Sequence, residues 1–288
     1  MAGFKGYALI ASAAVLWGSA SIAVSYALIG GMDQLSAATL MTAIGAVLIG
    51  LYAGREGFSN VRLDLIAYGA LAVAAFRALY ALSISINGAG ITASLLYTAP
   101  LLVAVMAPLT IREKPSLPDI LLAVIAVFGA YLSSNPDLRL ASALGFLVGV
   151  ALAADYAVTI VAIKYFYGKG YSKKEVMAQP TIAAIPVLAA LTLFSGPRVV
   201  LSPVTLPALL WGGAVSIGVA LVMYMEGMRT VRALEASVIA TLEPVSALLL
   251  ASIILNEQYV PLQLVGIALI LTSALGITLK NHISCKSR

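Results

Sequence analysis

The chain carries 17 Lys and Arg and 12 Asp and Glu among 288 residues. Most of these sit between long apolar runs, but Arg77, Asp155 and Glu243 lie inside such runs. A guanidinium at such a place can hold a carboxylate through two parallel hydrogen bonds, and Tyr80 stands one turn further on. Asp155, with Thr159 one helical turn away on the same face, can bind an amine or a proton. Glu243 directly precedes Pro244, and its face carries Ala236, Ala240 and Ala247. A stripe of small residues favours close helix packing, so Glu243 reads as a structural or gating acid more than as a ligand. A plainer reading exists for all three: Arg77 forms a buried ion pair with Asp155 or with Glu243. The two readings coexist if a bound molecule competes with the internal acid.

Around these charges the aromatic and hydroxyl side chains fall into patterns. Trp17 stands mid-run with Ser21 and Ser25 following at helical spacing, a mixed stripe suited to a cavity wall. Tyr97, Tyr156 and Tyr224 are further wall candidates. Tyr52, Tyr165, Tyr167 and Tyr171 lie near run ends, where an interfacial aromatic belt accounts for them. Glu226 reads as a surface partner of Arg229, and Glu113 and Glu257 as caps or gates at helix ends.

The elements that position these residues must be membrane helices. Hydrophobic residues make up 61% of the chain and charged ones 10%, against about 25% charged in a soluble domain. That excludes a soluble fold and disorder, and the single Cys285 excludes a disulfide scaffold. The apolar runs have the length that a helix needs to cross a bilayer. They predict ten helices, at 6–29, 35–54, 63–86, 90–111, 117–135, 141–167, 173–194, 204–229, 234–255 and 261–280, with the third and fourth separated by the turn signal Asn87-Gly88-Ala89-Gly90. The alternation of a β-barrel is missing, and the first run is longer than a signal-peptide core. Counted by loop, 14 of the 17 bases fall on one face, with Arg139 and Arg198 on the other and Arg77 between. The positive-inside rule then places both termini in the cytoplasm. The net charge of +5 is thus a topology signal rather than a nucleic-acid footprint.

Residues 93–114 resemble residues 237–258 at a constant offset of 144, which pairs Pro100 with Pro244, Glu113 with Glu257 and Tyr80 with Tyr224. The chain divides into halves, 1–137 and 138–288. Five spans per half make them inverted repeats, a feature of secondary transporters. Each paired proline falls near the middle of its helix and leaves the carbonyl four residues back, on Leu96 or Ala240, short of a donor. Symmetric breaks at the midplane are where a substrate site and a hinge are expected.

The second half resembles EamA-type drug/metabolite transporters in the run from Tyr224 to Arg229, in the stretch from Ala236 to Val245 and in Leu255-Asn-Glu257. The first half does so in Leu96-Tyr-Thr-Ala-Pro100 with Arg112-Glu113, and in Leu16-Trp17-Gly18-Ser19. The resemblance covers nearly the whole chain. It implies an all-α polytopic protein of the inner or plasma membrane, with ten helices and a central cavity lined by helices 1, 3, 4, 6, 8 and 9. It also implies export of amino acids or small metabolites by alternating access. The candidate substrate-binding residues are Trp17, Ser21, Arg77, Tyr80, Tyr97, Asp155, Tyr156, Thr159 and Tyr224. The candidates for coupling or gating are Asp155, Glu243, Pro100 and Pro244. The expected partners are a small-molecule substrate and the lipid bilayer. Facilitated diffusion and proton antiport both fit, and a monomer suffices. No enzyme, cofactor or metal site is expected: the only histidine is His282, and there is no phosphate loop. A non-transporting membrane receptor or assembly scaffold is the alternative.

Overall fold

A computed structural model of the chain describes residues 2–136, 142–255 and 258–286. The elements are α1 (Ala2–Ile29), α2 (Gln34–Ala53), α3 (Leu63–Tyr68), α4 (Ala74–Leu96), α5 (Ala99–Thr110), α6 (Leu117–Ser134), α7 (Ala143–Gly168), α8 (Lys173–Ser195), α9 (Thr205–Leu210), α10 (Ala220–Gly227), α11 (Ala233–Ala240), α12 (Leu242–Leu255) and α13 (Pro261–Lys286). Helix starts are set by side chains that accept otherwise unpaired amides. Asp33 accepts from Ser36 N at 2.9 Å, and Ser142 from Gly145 N at 3.0 Å. Ser172 and Glu175 form a reciprocal box at the start of α8. Left-handed residues end helices, Asn135 after α6 and Gly196 after α8, as expected for C-caps.

Among the described residues, nine helical segments are long and apolar enough to cross a membrane, with a tenth, shorter apolar helix at Ala99–Thr110. One of the nine, Leu63–Leu96, runs through Gly88, whose φ of 71° breaks the helical path. The expected boundary between the third and fourth spans is therefore a sharp kink rather than a loop.

The fourth and ninth spans correct the expectation of a mid-helix proline. Each is broken outright: α4 ends at Leu96 and α5 begins at Ala99, while α11 ends at Ala240 and α12 begins at Leu242. Pro100 and Pro244 therefore lie in the first turn of a new helix, where the missing N–H costs nothing. Leu96 and Ala240, separated by the same offset of 144, are the last residues before the breaks.

Two π-helical segments lie in the third and eighth spans, at Gly69–Val73 and Trp211–Val219. Shifting the first by 144 places it inside the second. A π bulge releases backbone carbonyls from the regular ladder and is frequent at functional sites. One released carbonyl, Ser216 O, accepts the Trp17 indole N–H at 3.0 Å.

Packing runs between the halves. α1 lies on α10 and α12, while α7 lies on α4 and α5; α2 packs on the second π segment and α8 on the first; α6 packs on α13. Each of the first six contacts has a counterpart with the halves exchanged. Glycines set the closest approaches. A Cβ on Gly266 would sit 2.5 Å from Ser133 N and 2.6 Å from Gly129 O, and one on Gly18 would sit 2.6 Å from Glu243 O.

Candidate functional site

The helices surround a cavity of about 320 Å³. Its wall is mostly apolar and aromatic, with few polar groups, the usual constitution of a small-molecule site. Of the candidate residues, Trp17, Ser21, Arg77, Tyr80, Tyr156, Thr159, Tyr224 and Glu243 line it. Trp17 packs at a tilt against Tyr224 with ring centroids 4.9 Å apart, and Phe76 against Tyr156 at 5.5 Å. Ser21 and Ser25 line the wall too, but each hydroxyl is spent within α1, on Gly18 O and Ser21 O. Tyr97 and Asp155 are not on the lining; Tyr97 is buried behind it.

Arg77 follows the first π segment by one turn. Its electrostatic neighbours are Tyr80 and Glu243, and Phe76 lies under the guanidinium at 5.6 Å. Glu243, at the start of α12, has the Tyr97 hydroxyl as its hydrogen-bonding neighbour. No direct ion pair joins Arg77 to Glu243 among the described residues, and Arg77 Nε is buried without a hydrogen-bond partner. The wall thus holds a base and an acid facing one cavity with at least one donor unused. Of the two ion pairs expected from sequence, proximity favours Glu243; Asp155 stands apart. Asp155 Oδ2 is buried with no partner, and Tyr68 is its electrostatic neighbour. The hydroxyls of Tyr156 and Tyr224 are likewise buried and unpartnered.

One end of the bundle is held by charge. All nine ion pairs among the described residues lie there, and six of them join the halves: Arg62–Glu175 (3.6 Å), Lys164–Glu113 (3.4 Å), Lys169–Asp64 (2.8 Å), Lys174–Glu56 (2.7 Å), Arg232–Asp119 (3.0 Å) and Lys280–Asp119 (2.5 Å). Asp119 is the hub. It is fully buried and also accepts from Ser116 N at 2.9 Å. Glu113 accepts from Ala233 N at 2.7 Å, placing a carboxylate on the N-terminus of α11. Glu226 pairs with Arg229 (3.6 Å) and, more closely, with Lys173 (2.6 Å). Glu257 lies outside the described residues, as does Arg139. At the opposite end the cavity reaches Leu28, Gln34, Ile84 and Ala89. There Asp33 joins the halves by accepting from Arg198 N at 2.7 Å, and Asn87 by donating to Gly145 O at 2.8 Å.

The sequence did not single out Tyr68, Phe76, Gln34, Met41, Met177 or Ser216, all on the wall. Tyr68 adjoins Asp155, and a hydroxyl near a membrane-depth acid was the available signal. Nor does the aromatic belt exhaust the role of Tyr167 and Tyr171. Tyr167 donates to Met225 O at 2.9 Å and Tyr171 to Asp64 at 3.0 Å.

These features define a multi-pass membrane protein whose broken helices surround a cavity for a small molecule. The model of the EamA-like transporter family matches twice, at residues 4–135 and 143–279, and the chain belongs to that family. It is 26% identical over 275 residues to an uncharacterized transporter of Archaeoglobus fulgidus, covering 94% of this chain and 95% of that one. A crystal structure of a protein 19% identical to it superposes with a TM-score of 0.83, covering 96% of this chain and 97% of the other. That likeness concerns the fold.

Proposed function

We propose that the protein is a secondary transporter that exports amino acids or related small metabolites by alternating access. The observation that carries this reading is the unpartnered Nε of Arg77, on the wall of a cavity it shares with Glu243. A buried donor without a partner is costly in an apolar setting, and a substrate carboxylate would satisfy it in bidentate fashion. The aromatic pairs Trp17–Tyr224 and Phe76–Tyr156 would hold the rest of the molecule.

Alternating access needs two exchangeable halves, and three features support it. The breaks before Pro100 and Pro244 share the offset of 144, the π segments overlap at the same offset, and the inter-half contacts occur in exchanged pairs. Inverted five-helix repeats account for all three. With the ion-paired end carrying the excess of bases, the positive-inside rule puts both termini and that end in the cytoplasm. The cavity then opens outward. The apposed breaks would let the halves rock about the site.

The test is counterflow in proteoliposomes with a mixture of radiolabelled L-amino acids. The wild type exchanges at least one of them. Arg77→Ala falls to the level of protein-free liposomes, and Arg77→Lys, which keeps the charge but loses the fork, exchanges weakly. Binding without exchange would favour a receptor or scaffold. Unchanged flux in Arg77→Ala would remove Arg77 from the site.

A further inference from the structure

We propose that Asp155 is a proton-binding site, loaded and unloaded once per transport cycle, so that the protein exchanges its substrate for protons. This rests on the transport reading above and decides a matter that reading leaves open, the source of driving force.

Asp155 lies midway along α7, an unbroken helix from Ala143 to Gly168. Its Oδ2 has neither exposed surface nor a hydrogen-bond partner. The elements packed on α7 include α4, α5, α8, α11 and the first π segment, and among the described residues none of their charges forms an ion pair with Asp155. On α4, Arg77 has Tyr80 and Glu243 as its neighbours. α5 carries no ionisable residue. On α11, Glu235 binds Arg232 and accepts from Tyr7 at 2.5 Å. At the start of α8, Lys173 pairs with Glu226, Lys174 with Glu56 and Glu175 with Arg62. On α7 itself, Lys164 holds Glu113 and Met228 O. What lies near Asp155 is the Tyr68 hydroxyl, just before the π segment, and Thr159 stands one turn further along α7. The corresponding position in the first half is Ala11, so repeat symmetry does not require the acid.

A carboxylate at membrane depth without a base is costly while charged and much less so when neutral. With no cation from the protein to neutralise it, an external one must. Among the described residues no cluster of metal-ligating side chains forms. A proton needs none of these ligands.

Access comes from the same cavity. Tyr156 and Thr159 line it, and Asp155 is half-buried beside them. Asp155 itself is off the lining, but Tyr68 and Thr159 stand on it, so a proton passing these hydroxyls reaches the acid from whichever face the cavity opens toward. Substrate at Arg77, on the wall, and a proton at Asp155, behind it, occupy separate places.

The experiment uses full-length protein in liposomes and two readouts. Infrared difference spectroscopy over a pH titration reports the carbonyl stretch of a protonated carboxyl. Wild type and Glu243→Gln should both show a band that Asp155→Asn lacks. Transport is read with the radiolabelled L-amino acid mixture. In wild type a pH gradient of one unit drives accumulation of up to about tenfold for a one-proton exchange. Asp155→Asn keeps counterflow at equal pH but loses this accumulation. A wild type that counterflows yet ignores the gradient, or an Asp155→Asn that accumulates like wild type, overturns the proposal. If the wild type moves none of the amino acids, the transport reading fails on its own. The infrared band then decides the site: its absence from wild type, or survival in Asp155→Asn, overturns the assignment.

Discussion

Trp17 binds the two halves through a single directed contact, its indole N–H on the Ser216 carbonyl. Trp17→Phe keeps an aromatic ring beside Tyr224 and deletes the bond. A net loss of about 1 kcal/mol follows, read as a lower melting temperature in detergent. Trp17→Ala should lose more, because the ring contact goes too. The three membrane-depth charges behave differently from such packing residues. Arg77, Asp155 and Glu243 correspond at the repeat offset to Leu221, Ala11 and Ala99. The repeats build a paired scaffold, while the ionic chemistry is one-sided. These charges were legible in the sequence because a charge inside an apolar run is conspicuous. Their partners were not. Whether Arg77 faces Asp155 or Glu243 depends on the rotation of α4, α7 and α12 about their axes, and an inserted π turn changes that rotation without changing composition. Tyr68 lies at the start of one such turn and was missed for the same reason.

At the scale of elements, the prolines announced where the fourth and ninth spans fail, and the constant offset announced that both fail alike. The extent of the failure was not legible. A proline inside a lone helix only kinks it, whereas here neighbouring helices support a complete interruption and a fresh start. If the breaks serve motion, mending them should slow transport without weakening the fold. Pro100→Ala combined with Pro244→Ala should therefore lower the counterflow rate while the melting temperature stays level or rises. A parallel fall in both would make the prolines structural. The α6–α13 contact responds in the opposite sense. A side chain at Gly266 meets backbone atoms of α6 at 2.5–2.6 Å, and backbone cannot step aside as a side-chain tip can. Gly266→Ala should destabilise by about 1–3 kcal/mol, seen as a lower melting temperature.

Over the whole molecule, the two halves are joined at the two ends of the bundle by different means, and each makes its own prediction. At the cavity-mouth end, burial pushes the Asp33 carboxyl up, but hydrogen bonds from Ser36 and from the Arg198 and Leu35 amides outweigh it and hold it below its ordinary value. A lowered folded-state value means that the contact stabilises above the ordinary carboxylate range and is lost as pH falls through the folded value. The stability gap between wild type and Asp33→Asn should thus be present at neutral pH and close on acidification, as read from melting temperature against pH. At the other end, the count of bases by loop had already marked one face, but not that acids from both halves would meet them there. Asp119 gathers Arg232 and Lys280 on one buried carboxylate, so removing its charge weakens several inter-half contacts together. Asp119→Asn is close in shape and still accepts from Ser116. If this network holds its end shut, the variant shifts the molecule toward opening there, and each 1.4 kcal/mol lost moves the ratio of states about tenfold. A cysteine at Ser21, on the cavity wall, reports the balance once Cys285 is replaced by serine. In vesicles of known sidedness, a membrane-impermeant maleimide should label the parent from the cavity-mouth side. Adding Asp119→Asn should slow that labelling and speed labelling from the network side. High salt, which screens the half-exposed partners, should push the parent in the same direction. Rates unchanged on both sides would mean that the ion pairs decorate the closed end, and that the packing of α11 against α1 and α5 is what shuts it.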